Sequence, residues 1–264
     1  MDDNEKEFNF KQFWGSSLIA PHVVFRRNSQ MYCVYCGSFA DTREHCPSKI
    51  FLNKPFPTDL STVPACKKCN NGFSSDERYT SNVISCLSQY YKNADMKIFE
   101  ITEADKFKEM REAKQSAKRF ISEPFFDDRM ANIFRKLAIG HAAFEISEGY
   151  YNDSWNGIPE RISYTIKPFL EGDQWKNLKY AEVINDQPVP EIGSRAFRNI
   201  YVVEALMNSS EGDEINTKPL LMVDWVDIQD GYYKYQVYFK NDKIWVKMIF
   251  QDFLYCEVIF SRSN

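Results

Sequence analysis

No stretch of the chain approaches the roughly 18–20 consecutive apolar residues of a membrane-spanning helix. A basic excess is missing too. The formal net charge is −4, so a nucleic acid would have to meet a local basic face and not the molecule as a whole. Met1 to Glu7 is acidic, where a secretory signal needs a basic start and an apolar run. No internal repeat or low-complexity tract occurs. Apolar residues at 44% and charged residues at 27% make an ordinary globular balance, which excludes collagen-like and wholly disordered chains. Aromatics are plentiful at 16%, which favours β-structure and large packed side chains. At 264 residues the chain buries a core unaided, as one large domain or two small ones.

The seven cysteines are an odd set for a secreted disulfide scaffold: Cys33, Cys36, Cys46, Cys66, Cys69, Cys86 and Cys256. Four of them form two Cys-x-x-Cys pairs, and a reducing cytoplasm with a bound metal is the reading that fits. Two such pairs make a tetrahedral four-thiolate zinc site from Cys33, Cys36, Cys66 and Cys69, with sulfurs about 2.3 Å from the ion. Gly37 follows one pair and Asn70-Asn71-Gly72 the other, as in paired knuckles and unlike four unrelated thiols. The 29 residues between Cys36 and Cys66 exceed the usual ribbon spacing of about 15–20, so something substantial is inserted. Cys46, Cys86 and Cys256 read as small buried residues.

The periodicities set the fold class at α+β. Residues 1–27 read as an N-terminal arm with Phe8, Phe10, Phe13 and Trp14, then a strand-like Val23-Val24-Phe25. Residues 28–95 carry the two Cys-x-x-Cys pairs. A helix follows them, with Ser74 or Ser75 as its cap and Asp76 and Glu77 in its first turn. Residues 96–264 read as an α+β accessory domain. One helix fits about 102–122, with Phe107, Met110, Ala117 and Ile121 on one face and Arg111, Lys114 and Lys118 on another. A second fits about 127–147, with Met130, Ile133, Leu137 and Phe144 as its apolar stripe. After 160 the period becomes two: Ile162, Tyr164, Ile166; Tyr233, Tyr235, Val237, Phe239; Ile244, Val246, Met248, Phe250. Asp230-Gly231 and Asn241-Asp242 sit where hairpin turns belong, so the C-terminal third reads as an antiparallel β-meander.

The insert between the knuckles holds Glu44-His45-Cys46-Pro47. With it the chain resembles the HNH, or ββα-metal, nucleases. Their zinc-containing branch reads Cys-x-x-Cys, an acidic residue followed by His, then Cys-x-x-Cys followed by His or Asn. The likeness is nearest to standalone bacterial HNH proteins. It is carried by Thr42-Arg43-Glu44-His45, Pro47, Lys49, Phe51, Thr62 through Asn71, Phe73-Ser74, Asp76-Glu77 and Tyr79, about 50 residues. Glu191 to Arg195 and Trp225 to Tyr235 also look like the C-terminal part of those proteins.

The resemblance implies that residues 28–95 are an HNH nuclease domain with a structural zinc, and that the activity is metal-dependent hydrolysis of DNA phosphodiester bonds. It implies a second, catalytic divalent ion, Mg²⁺ or Mn²⁺, on Glu44 and Asn70, since oxygen donors suit a hard cation. His45 is then the general base, and 5′-phosphate and 3′-hydroxyl ends are the products. On an extended strand Glu44 and His45 point to opposite faces, so a kink must bring them together or the base must act through water. Two positions depart from the family pattern. Ser61, with Thr62 beside it, stands where an Asn orients the histidine, so a hydroxyl or a backbone carbonyl must substitute. Ser74 stands where a third ligand is common. On a helix Asn70, Ser74 and Glu77 share a face, so Glu77 either completes the ion site or is a plain helix-start residue.

Lys49, Lys67 and Lys68 are the candidates for phosphate contacts, which set register without reading sequence. The face of Arg111, Lys114 and Lys118 reads first as a solvated helix surface. His141 reads as a packed core histidine, and His22 has no assigned role. DNA is the expected partner, RNA is left open, and the C-terminal β region is available to a partner protein or a homodimer. Phage defence leads among the roles such a standalone protein takes. The competing reading is a decayed zinc module that binds nucleic acid or a partner protein without cutting.

Overall fold

Two short strands meet first. In a computed structural model that describes residues 6–9, 32–102, 108–123, 126–145, 161–169, 181–184, 195–208, 215–241 and 243–262, β2 (Thr42–His45) pairs antiparallel with β3 (Thr62–Ala65). The register is Thr42 to Ala65, Arg43 to Pro64, Glu44 to Val63 and His45 to Thr62. The connection holds a 3₁₀ turn over Lys49–Phe51. Helix α1 (Lys67–Gly72) follows β3 at once, and α2 (Ser74–Asn93) continues from it past Phe73. The expected cap at Ser74 or Ser75 is corrected: helical backbone already begins at Lys67, where Cys66 Sγ accepts from the Cys69 amide, so neither serine is the first to turn. α2 stops at Ala94, whose left-handed backbone closes the last turn.

Helix α3 (Lys108–Ser122) buries Ala113, Ala117 and Phe120. Helix α4 (Asp128–Glu145) starts at an Asp127 cap, whose carboxylate accepts from the Met130 amide at 2.9 Å. Every residue of α4 from Ile133 to Ala143 is buried, as expected of a helix enclosed on all sides. On one side Phe134 and Phe126 pack with rings 4.4 Å apart, and Phe134 meets Phe250 of the sheet at 5.2 Å. On the other side Gly140 lies against Cys46 of the hairpin loop.

The sheet beneath α4 has six strands in the order β1-β4-β11-β10-β9-β8, all antiparallel. They are β1 (Lys6–Asn9), β4 (Arg161–Phe169), β8 (Val226–Gln229), β9 (Tyr233–Lys240), β10 (Lys243–Phe250) and β11 (Leu254–Arg262). β8 to β11 form the C-terminal four-strand meander. Its first turn uses Gly231 at φ +70°, where a side chain would be strained. Its second begins at Asn241, and its third places both Gln251 and Asp252 in the left-handed region. A smaller sheet pairs β7 (Ile215–Val223) with β5 (Glu182–Val183) and β6 (Ile200–Asn208). A short helix α5 (Arg195–Arg198) precedes β6. The fold is thus mixed α+β with antiparallel sheets. One continuous apolar core runs from Cys33 through α2 and α4 to Phe260. No helix among the described residues is long and apolar enough to cross a membrane. Phe10, Phe13, Trp14, His22, the Val23–Phe25 run and Phe107 lie outside the described residues.

Candidate functional site

The two Cys-x-x-Cys segments form separate turns that face each other. In the first, the Gly37 amide donates to the Cys33 carbonyl at 2.8 Å and Gly37 takes φ +72°. The second is the start of α1, where the Asn70 amide donates to the Cys66 carbonyl at 2.9 Å. The Val34 amide donates to the Pro64 carbonyl and joins them. The sulfurs of Cys33, Cys36, Cys66 and Cys69 all lie within 4.8 Å of one another, with Cys36 and Cys66 at 3.6 Å. A tetrahedron with metal–sulfur bonds of about 2.3 Å has edges near 3.8 Å. The donor set fits, and the four cysteines can hold a metal such as zinc. Hydrogen bonds from Cys33 and Cys69 pull the Cys36 thiol down, and the Cys33 thiol, paired with Cys36, is pushed up to about 12. A lowered thiol favours the thiolate form that ligates a metal.

Strand β2 sorts its side chains by alternation. Glu44 points inward and is buried. Arg43 and His45 share the outer face, and so does Thr62, directly opposite His45. Arg43 donates to Thr62 twice, Nε to Oγ1 at 2.8 Å and Nη2 to the carbonyl at 3.0 Å. The backbone through Glu44-His45 stays in strand pairing, so no kink brings the two side chains together.

His45 is half-buried, and its Nδ1 is buried without a hydrogen-bond partner among the described residues. No hydroxyl or carbonyl of Ser61 or Thr62 bonds to this nitrogen: the Ser61 carbonyl accepts from the Cys46 amide at 2.8 Å, and the Thr62 hydroxyl accepts from Arg43. Burial first, and the Lys49 ammonium second, lower the His45 imidazole below its ordinary 6.5; the opposing pull of Glu44 is smaller. Burial outweighs the pull of the Glu44 charge, which is itself paired.

What compensates it is Lys136 of α4. Its Nζ lies 2.9 Å from Glu44 Oε1 and 2.6 Å from Glu77 Oε1. Ser48 Oγ sits 2.5 Å from the same nitrogen and donates to Glu77 Oε1 at 2.5 Å. Glu44 and Glu77, 33 positions apart in the sequence, thus converge as expected of ion ligands, but on an ammonium group. Asn70 is held to the strand instead, its Nδ2 donating to Thr42 Oγ1 at 3.2 Å and to the Arg43 carbonyl at 3.4 Å. Ser74 is exposed. A divalent ion bound by Glu44, Asn70 and Glu77 does not fit these side chains as they stand, since Lys136 fills the space between the carboxylates.

Lys49, Lys67 and Lys68 are exposed, Lys49 with its ammonium 5.6 Å from the Phe56 ring centre. A small cleft beside the hairpin is lined by Val34, Arg43, Thr62, Pro64, Ala143 and Phe144. His141 is a core residue as expected: Nδ1 meets Cys46 Sγ at 3.2 Å, Nε2 meets Tyr233 Oη at 2.6 Å, and the ring stacks on Tyr235 at 3.8 Å. Cys46, Cys86 and Cys256 are buried. On α3, Arg111 and Lys118 are exposed and Lys114 donates to the Glu100 carbonyl at 2.9 Å.

Sequence reasoning missed Lys136 and Arg43. Lys136 carried a signal, a charge three residues after Ile133 and therefore on the apolar stripe of its helix. Arg43 carried one too, lying two residues before His45 on the same strand and therefore on its face. Comparison with protein families, curated proteins and solved structures finds no match to this chain.

Proposed function

We propose that this chain is a zinc-pinned ββα module of the HNH type that hydrolyses phosphodiester bonds in DNA, with His45 as the general base. The observation that carries the reading is the arrangement of one hairpin and one helix around four convergent cysteines, with a neutral, half-buried imidazole on the hairpin's outer face. Zinc, when bound, ties the two knuckles together. The chain's own residues supply the remainder. Arg43 shares the outer face with His45, and Lys49 lies close enough to influence its charge. These two cations receive a phosphate and offset the charge that develops on it. His45 takes the proton of the attacking water, as an imidazole that is unprotonated near pH 7 can. Lys67 and Lys68, exposed at the start of α1, contact the backbone on either side. The accessory strands and helices hold the hairpin through α4.

One observation favours a second reading, a zinc module that binds nucleic acid or a partner protein and does not cut: Lys136 occupies the place between Glu44, which the HNH pattern assigns to an ion, and Glu77, the candidate third ligand. Nicking of supercoiled plasmid, with and without Mg²⁺ or Mn²⁺, separates the two. Nicking that is lost in His45→Ala supports the enzyme. DNA retention on a gel with no nicking by either protein supports the binding module.

A further inference from the structure

The polar cluster beneath the hairpin joins four separate segments. Glu44 comes from β2, Ser48 from the loop before the 3₁₀ turn, Glu77 from the first turn of α2 and Lys136 from the middle of α4. Lys136 is 1% exposed. An ammonium group has three protons to donate. Here three oxygens receive them, at 2.9, 2.6 and 2.5 Å from the nitrogen. The rings of Phe73 and Tyr35 stand 5.5 and 5.9 Å from it, close enough to add cation–π attraction. Glu44 and Glu77 each turn one carboxylate oxygen, Oε1, to this nitrogen.

The approach of α4 that delivers the lysine is itself built in. Gly140 lies one turn beyond Lys136, and a Cβ there would stand 2.9 Å from Cys46 Sγ and 3.4 Å from Tyr35 Oη. The next residue, His141, bonds to the same sulfur. The helix is thus held against the hairpin at two consecutive positions, at the height that places the ammonium between the carboxylates. Mg²⁺ demands near-octahedral oxygen ligation at about 2.0–2.1 Å and usually keeps several waters. A site with an ammonium already between its two carboxylates cannot offer that without expelling Lys136.

We propose that Lys136 is the resident cation of this site, a tethered substitute for the divalent ion, and that Glu44 and Glu77 bind helix α4 rather than a metal. The identification of this cluster with an ion site rests on the HNH reading; the contacts of Lys136 do not. A buried ion pair that loses one partner leaves an uncompensated charge, which is strongly destabilising.

The test uses the whole chain, zinc-loaded, and reads Mn²⁺ binding and thermal stability. Mn²⁺ is titrated and followed by its electron paramagnetic resonance signal. Wild type is expected to show no saturable Mn²⁺ site into the millimolar range. Lys136→Met, which keeps the stem and removes the charge, is expected to lower Tm by roughly 10 °C at unchanged zinc content. Lys136→Met combined with Glu77→Gln, which also removes one carboxylate charge, is expected to recover part of that loss. One saturable Mn²⁺ site in wild type that disappears in Glu77→Gln would overturn the proposal, and this arm decides even if the lysine variants do not fold. A Lys136→Met protein with wild-type Tm would overturn it as well. Neither readout depends on cleavage, so the role of Lys136 is tested even in a chain that never cuts DNA.

Discussion

Burial acts with the same sign on both described histidines. It lowers His45 and, far more strongly, His141, whose ring is enclosed by Tyr233, Tyr235 and Cys46 and further disfavoured as a cation by Arg195 and Lys136. A histidine held below its unfolded value binds fewer protons in the native state. Its contribution to stability is therefore complete above about pH 6.5 and lost as pH falls below it. For the fully buried His141 the slope is at most about 1.4 kcal/mol per pH unit. We expect urea unfolding to show stability falling from pH 6.5 to pH 5, and His141→Gln to be less stable at pH 7.5 yet flatter in that window. An unchanged slope in His141→Gln would show that the ring is protonated in the native state.

At the scale of elements, α4 is the part on which the site depends. Gly140→Ala would ordinarily gain about 0.5–1 kcal/mol of helix propensity. Here the added methyl meets a cysteine sulfur that is buried and bonded to His141. Overpacking of this kind costs about 1–3 kcal/mol, so a net loss of stability is the expected outcome of a denaturant titration. A stabilised Gly140→Ala protein would mean that helix and hairpin do not touch as described. The extent of α4 was legible in the sequence from its apolar period, and so were the meander strands β9 and β10 and the turn at Gly231. The turn at Gln251-Asp252 was not, because neither residue carries the glycine or asparagine that announces a left-handed backbone. Lys136 was invisible in its role for a different reason: its partners lie 92 and 59 positions away, and no local pattern encodes a tertiary ion pair. The face assignment of Glu44 and His45 was half legible. Alternation separated them, but only the packing of α4 shows which one is buried.

For the whole molecule, the four cysteines and the continuous core act together. The knuckles bring β2, β3 and α1 into one unit, and α4 ties that unit to the meander. The spacing of the four cysteines was the strongest signal in the sequence, because a tetrahedral donor set constrains position as few other requirements do. We expect purified protein to carry about one tightly bound zinc per chain. Cys69→Ser should release it and expose the segment from 32 to 95 to limited proteolysis, since metal binding and folding of such a site are linked. A zinc-free Cys69→Ser protein that resists protease like wild type would remove the structural role of the cluster. If the N-terminal unit melts, Lys136 loses its partners and α4 is left with a buried charge, so the loss should spread to the sheet signal as well.

The reading of the molecule as a phosphodiester hydrolase turns on His45, which ligates no zinc and is held neutral near pH 7 by its surroundings. The decisive experiment is single-turnover cleavage of one DNA substrate by wild type and His45→Ala, at matched folded concentration, over pH 5–8.5. We expect a loss of about 10²–10⁴-fold in the variant, with zinc content and DNA affinity unchanged. The wild-type rate should rise with pH and level off below pH 6.5, following the lowered imidazole. Equal rates for the two proteins, or no cleavage by either, would contradict the assignment of His45 as a general base.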